Sequence, residues 1–271
     1  GIYFARKMLR DNNFIMALIL TLVAGSATGV GGVFVLFTKK FNSKILAGSL
    51  GFSAGVMLFI SLTELFPEAN HALSSLYGEQ KGMLYTILSF FSGIALIAII
   101  DNLIPERENP HEYSAVESRG ENGKLMRLGI FSIIVIAIHN FPEGMATFIT
   151  AMENPQAGLS IAMAVAIHNI PEGIMVAIPI YYATKKRGKA IGNAFLSGLA
   201  EPVGGIIGYL LLSRFFENSL SGIMLGIVAG IMTYISLDEL LPTAEKYGEH
   251  HIAIIGVIIG MAVMAVSILL L

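Results

Sequence analysis

Residues 128–150 read LGIFSIIVIAIHNFPEGMATFIT, and residues 157–183 read AGLSIAMAVAIHNIPEGIMVAIPIYYA. A helix that crosses a hydrocarbon core of about 30 Å needs roughly 20 apolar residues, and both runs are long enough. In the middle of each sits one polar cluster, HNFPEG at 139–144 and HNIPEG at 168–173. Polar and ionisable groups at that depth are costly unless they face a partner or a cavity. Only ENPQ (153–156) separates the two runs, which makes them antiparallel neighbours.

The rest of the chain has the same character. Of 271 residues, 55% are hydrophobic and 13% charged, against roughly 25% charged in a soluble domain. Mean hydropathy is +0.73. The expected fold class is all-α: a polytopic membrane protein with eight transmembrane helices. These spans fall at 14–37, 46–66, 83–104, 127–150, 157–183, 190–213, 221–242 and 251–271. The net charge of −2 gives no reason to expect nucleic acid as a partner. With no cysteine, disulfides and thiolate ligands are excluded. The first apolar run is too long for a signal-peptide core and lacks a small-residue cleavage site, and Gly1 suggests a trimmed start.

One transmembrane domain is expected over 1–271, with spans 1–3 at 14–104, a charged loop at 105–126 and spans 4–8 at 127–271. The loop is rich in turn formers and reads as a mobile cytosolic linker. With both termini outside, twelve lysines and arginines lie in the inner loops and five outside, which satisfies the positive-inside rule. That places the protein in the cell membrane, multi-pass, in contact with the lipid bilayer.

A second repeat joins span 2 to span 7. SAGVMLFISLTELFPEA (53–69) and VAGIMTYISLDELLPTA (228–244) share ten residues at a constant offset of 175. The two spans run in opposite directions, so the repeat is inverted, as in many transporters with a central site. A 3+2+3 arrangement follows, with spans 1–3 mirrored by 6–8 about the central pair. Glu64 then falls near the outer end of span 2, and Glu239, with Asp238 beside it, near the inner end of span 7. Entrance and exit relays for a cation are one reading of these carboxylates; ordinary interfacial acids are the other. Small residues such as AGSATGVGG (24–32) suit close helix packing in lipid.

In each central cluster the histidine and glutamate are four residues apart and the asparagine and glutamate three, so all share one helical face. His139 and His168 lie about 11–12 residues into their spans, a depth of roughly 16–18 Å at 1.5 Å per residue, near the midplane. Pro142 and Pro171 free the carbonyls of Ile138 and Ile167, and in span 6 Pro202, next to Glu201, frees that of Gly198. No lysine or arginine occurs in mid-span. The buried glutamates are therefore either protonated or bound to metal. A lone His–Glu pair is often a helix–helix hydrogen bond, but two identical copies at one depth with a third glutamate favour metal. Imidazole, carboxylate and amide ligands suit Zn2+, Fe2+, Mn2+ or Co2+. Their number exceeds the four of a closed zinc site, as expected for two ions bridged by Glu143 and Glu172. His71, His111, His250 and His251 lie in loops or at helix ends and read as solvated.

HNFPEG, HNIPEG and GLAEP (198–202) together resemble the ZIP family of divalent-metal transporters, in particular its bacterial branch. The resemblance extends over all eight spans. It implies an importer that moves Zn2+ foremost, and Fe2+, Mn2+, Cd2+ or Co2+ besides, into the cytosol as transported substrate, with no catalytic cofactor. It further implies that His139, Glu143, His168 and Glu172 form one metal subsite, and that Asn140, Asn169 and Glu201 form the second with the same glutamates. Alternating access between two rigid helix groups and a homodimer are implied as well. The rival readings are a metal-dependent intramembrane hydrolase, for which no spare general base is visible, and an exporter with the same site. Ligation needs neutral histidine and ionised carboxylate, so protons are expected to compete with metal.

Overall fold

A computed structural model describes residues 12–37, 43–103, 121–212, 218–247 and 250–270, and among them every regular element is helical. In chain order the helices are α1 (Asn12–Val33), α2 (Ser43–Ile60), α3 (Phe66–Tyr77), α4 (Glu79–Leu103) and α5 (Glu121–Glu153). They continue as α6 (Pro155–Thr184), α7 (Arg187–Gly198), α8 (Ala200–Leu212), α9 (Asn218–Tyr234), α10 (Leu241–Tyr247) and α11 (His250–Leu270). A π-helical turn, Ser61–Leu65, joins α2 to α3 in one rod, and a second, Ile235–Leu240, joins α9 to α10. Seven rods among the described residues are long and apolar enough to cross a membrane. Large apolar side chains such as Val30, Phe91 and Ile258 are exposed on the surface, as a lipid solvent requires.

Several boundaries differ from the hydropathy reading. The fourth span was expected to begin at 127 after a loop to 126, yet α5 begins at Glu121. ENGKLMR is polar but, apart from its glycine, rich in helix formers, so helix continues past the apolar segment. Residues 104–120, including His111, lie outside the described residues. The second and seventh spans were expected to stop at 66 and 242, at or beside a proline, but the rods run on to Tyr77 and Tyr247. Pro67 has no N–H for the carbonyl of Thr63, and its ring crowds that carbonyl. The helix responds by widening one turn, with the Phe66 N–H bonded to the Ser61 carbonyl five residues back. Leu241 does the same to Ser236 in front of Pro242. The Ser61 and Ser236 hydroxyls donate to the Met57 and Met232 carbonyls at 2.6 and 2.7 Å. At the offset of 175, the sequence repeat is also a repeat of hydrogen-bond geometry. At the end of the first rod Gly78, at φ 80°, turns the chain straight into α4.

Packing sorts the helices into two groups. α1 and α5–α8 pack among themselves, as do α2–α4 and α9–α11. Inside each group the rods touch backbone to backbone. A side chain on Gly55 would strike the Val257 carbonyl, and one on Gly260 that of Phe52, where α2 crosses α11. Gly230 and Gly93 meet the carbonyls of Phe90 and Ile227 in the same way where α9 crosses α4. In the other group Gly31 faces the carbonyl of Ile170 and Gly173 that of Thr28, whereas Gly204 faces Phe141 and Gly144 faces Glu201. Ile170 and Phe141 hold the third place of the two HNxPEG clusters, and Gly173 and Gly144 the sixth. One crossing is therefore made twice, by α1 on α6 and by α8 on α5. The octets that make it, GSATGVGG (25–32) and GLAEPVGG (198–205), agree at five of eight positions. Their leading residues, Gly25 and Gly198, abut each other's carbonyls.

Across the boundary between groups, α2 meets α6 and α9 meets α5. No described glycine makes such a carbonyl contact there; the boundary holds cavities instead. One of about 560 Å3 lies among Ile97 and Ile100 of α4, Ile133, Ala137 and Phe141 of α5, and Ile231 of α9. A second, of about 220 Å3, is bounded by Ile60, Glu64, Ser160, Ala164 and Met264. A third, of about 170 Å3, has Glu68, Glu153 and Thr150 in its wall.

Candidate metal centre

Of the seven candidate spans among the described residues α6 is the most enclosed, with 72% of its apolar stretch buried against 22% for α11 and 28% for α4. Its start is firmly set. Asn154 accepts the N–H groups of Gln156 and Ala157 through Oδ1, and Pro155 occupies the first helical position, where a missing donor costs nothing. Pro142 and Pro171 lie inside unbroken helices. Beside Pro202, by contrast, the rod is interrupted at Leu199, directly after the expected free carbonyl of Gly198.

The antiparallel pair α5 and α6 carries the two clusters to the protein interior. Asn140, Glu143, His168, Asn169, Glu172 and Glu201 are all buried. His139 lies within α5, and its side chain is outside the described residues. Nε2 of His168 sits 3.3 Å from both carboxylate oxygens of Glu143, so the clusters meet across the helix pair. Asn169 donates through Nδ2 to the Ala24 carbonyl at 2.9 Å and to the Glu201 carboxylate.

Polar capacity remains unspent. Asn140 Nδ2 and Oδ1, Asn169 Oδ1 and Glu201 Oε2 are buried and have no hydrogen-bond partner among the described residues. Leaving such a group unmet costs about 1–3 kcal/mol, and gathering carboxylates in a low dielectric costs several more per charge. A divalent cation would meet the unpartnered oxygens and balance the carboxylates together. Among the described residues no three His, Asp or Glu side chains form a closed cation cage. The donors stand as pairs drawn from facing helices, His168 with Glu143 and Asn169 with Glu201.

The other expected residues lie apart from this cluster. Glu64 is half-buried in the first π turn and borders the 220 Å3 cavity with Ser160 and Ala164 of α6. Ala164 is one turn from His168 on the same helical face. In the second π turn Glu239 is buried and Asp238 exposed. His71 and His251 are exposed, and exposed His250 is 2.7 Å from Glu245. Thr28 escaped the sequence reading. It is buried, its Oγ1 has no hydrogen-bond partner among the described residues, and its carbonyl faces Gly173 as that of Glu201 faces Gly144. The likeness of GSATGVGG to GLAEPVGG was the available signal.

A family model described as ZIP zinc transporter matches residues 105–268. A protein named zinc transporter ZupT from Chlorobium chlorochromatii (strain CaD3) is 56% identical over 264 residues, 96% of this chain and 98% of that one. Another of the same name from Clostridium perfringens (strain 13 / Type A) is 54% identical, over 96% of this chain and 97% of its own. A third, from Streptococcus mutans serotype c, is 53% identical over 94% and 97%.

Proposed function

The chain belongs to the ZIP family of zinc transporters, and from that premise we propose that it imports divalent metal cations through the buried cluster of α5, α6 and α8. Members of this family are transporters and not enzymes, which sets the hydrolase reading aside. The cargo is Zn2+ foremost, with Fe2+, Mn2+, Cd2+ and Co2+ suited to the same nitrogen and oxygen donors. His139, Glu143, His168 and Glu172 hold one ion, and Asn140, Asn169 and Glu201 hold a second that the two glutamates share. The contact of His168 with Glu143 across the helix pair is the observation that carries this reading.

In the proposed topology eight spans form one domain in a 3+2+3 inverted repeat, with both termini outside and the 105–126 loop in the cytosol. The matched π turns and doubled glycine crossings support the repeat. Cargo enters past Glu64, sheds water onto the central donors and leaves past Asp238 and Glu239. The glycine-locked groups move as units, because their internal crossings tolerate no sliding and their mutual boundary holds the cavities. Two copies of the chain assemble as a homodimer.

Purified protein in liposomes tests the transport reading with 65Zn. Uptake is expected for the native chain, competed by the other ions, and lost in Glu143→Ala. Native uptake that is matched by Glu143→Ala would remove the site from the pathway. Chelator trapped on one side, with the insertion sense of the protein determined, distinguishes import from export.

A further inference from the structure

Two asparagines in equivalent places behave differently. Asn169 is engaged twice, by the Ala24 carbonyl and by the Glu201 carboxylate. Asn140 holds the same place in the other cluster and is equally buried, yet neither of its polar atoms has a partner among the described residues. The doubled crossing explains the difference. The octet GLAEPVGG brings Glu201 to α5 and α6 from one side, and GSATGVGG arrives from the other with its glycines against the same cluster positions. In that register Thr28 stands where Glu201 stands. A threonine carries no carboxylate and is two atoms shorter, so it supplies no counterpart of the bond from Asn169 to Glu201, and Asn140 and the Thr28 hydroxyl both lack a partner among the described residues.

We propose that Thr28 is the neutral counterpart of Glu201, closing the central cation site from the α1 side with a hydroxyl oxygen and limiting its charge to three carboxylates. This inference rests on the transport site proposed above and adds to it a seventh described side chain, which sets how tightly the cargo is held. A fourth carboxylate would hold a doubly charged ion more strongly and release it more slowly. A hydroxyl leaves one side of the ion weakly bound, and that side is where the first ligand can exchange. The neighbouring positions fit this division. Pro202 breaks the rod beside Glu201, whereas Gly29 leaves α1 continuous beside Thr28.

A carboxylate swap tests the equivalence. Zinc binding by the purified full-length chain is measured in competition with a fluorescent chelator, using Zn2+ alone as probe, with size-exclusion elution as the check on folding. Glu201→Thr is expected to weaken binding about 10–100-fold, the scale of losing one partner at a metal site. Thr28→Glu added to Glu201→Thr restores affinity, because the carboxylate returns from the opposite side. Thr28→Glu alone tightens binding and lowers 65Zn turnover in liposomes. A folded double variant that binds as poorly as Glu201→Thr overturns the proposal. Should the double variant fail to fold, Thr28→Val, equal in shape but without the hydroxyl, decides. A loss of about tenfold in affinity supports the proposal, and native affinity overturns it. Absence of zinc binding by the native chain would instead overturn the underlying site reading and this inference with it. Native binding that Glu143→Gln abolishes, combined with a failed swap, overturns the role of Thr28 alone.

Discussion

The boundaries inside the helix groups and the boundary between the groups are built from different materials. Inside, glycines such as Gly55, Gly173 and Gly230 press against carbonyl oxygens of the next helix, and small displacements meet backbone. Between the groups, where α2 meets α6 and α9 meets α5, no described glycine makes such a contact, and cavities of about 560, 220 and 170 Å3 remain. In lipid no hydrophobic force drives helices together, so closeness of approach measures cohesion. The lesson is that one apolar protein can join some helices backbone to backbone and leave others parted by cavities through the distribution of a single residue type.

The strongest way to break this comparison is to tie the boundaries shut. The chain has no cysteine, so introduced pairs are unambiguous. Ile60→Cys with Ala164→Cys, bridged by a short bifunctional thiol reagent across the 220 Å3 cavity, is expected to abolish 65Zn flux and to leave zinc binding intact. Gly48→Cys with Ile252→Cys, bridged within one group where space exists, should leave flux near native. Equal flux from both bridged proteins would show that the groups do not move relative to each other.

Next in size is the contrast in tolerance to added volume. Gly173→Leu drives a side chain into the Thr28 carbonyl and should cost about 3 kcal/mol or more, the upper end for overpacking, read as a fall in Tm. Ala137→Phe points into the 560 Å3 void and should change Tm by only about 3 °C, the scale of 1 kcal/mol in a protein of this size, while slowing turnover. A similar fall in Tm for both would erase the distinction.

Acid separates the central site from the crossings that hold it. Metal ligation needs neutral imidazole, so affinity stays full above the imidazole range and declines as pH drops through it. Each histidine that ligates should cost about tenfold in zinc affinity per unit below roughly pH 6.5. Titration calorimetry across this range measures the decline. The crossings of α2 on α11 and of α9 on α4 carry no titratable group, so amide hydrogen-exchange protection there, without metal, should hold across the same interval.

The smallest effect sharpens the repeat itself. Ser61→Ala and Ser236→Ala each remove one hydroxyl-to-carbonyl bond at twin π turns, and each should cost about 0.5–1.5 kcal/mol. Unequal losses would mark the turns as differently loaded despite their shared geometry.

Much of this was legible from particular residues. Alternation played no part; long apolar runs announced helices, and identical spacing in HNFPEG and HNIPEG put His, Asn and Glu on matching faces. Gly198 was expected as the free carbonyl beside Pro202, and the rod is interrupted at the next residue. Pro67 and Pro242 misled, because a proline ends a helix only when the preceding turn cannot widen. Glu121 misled for a related reason, since hydropathy marks where lipid ends and not where helix does.

What the sequence by itself determined is class and chemistry: a helical membrane protein with duplicated nitrogen and oxygen donors near mid-span. These follow from local rules, since the solvent sets run length and helical pitch sets which side chains share a face. Only the tertiary structure decided which helices meet backbone to backbone and which are parted by cavities, and that Asn169 is held while Asn140 has no partner among the described residues. Those outcomes depend on which backbone lies opposite each glycine and which side chain lies opposite each amide, and such contacts join residues as distant as Ala24 and Asn169.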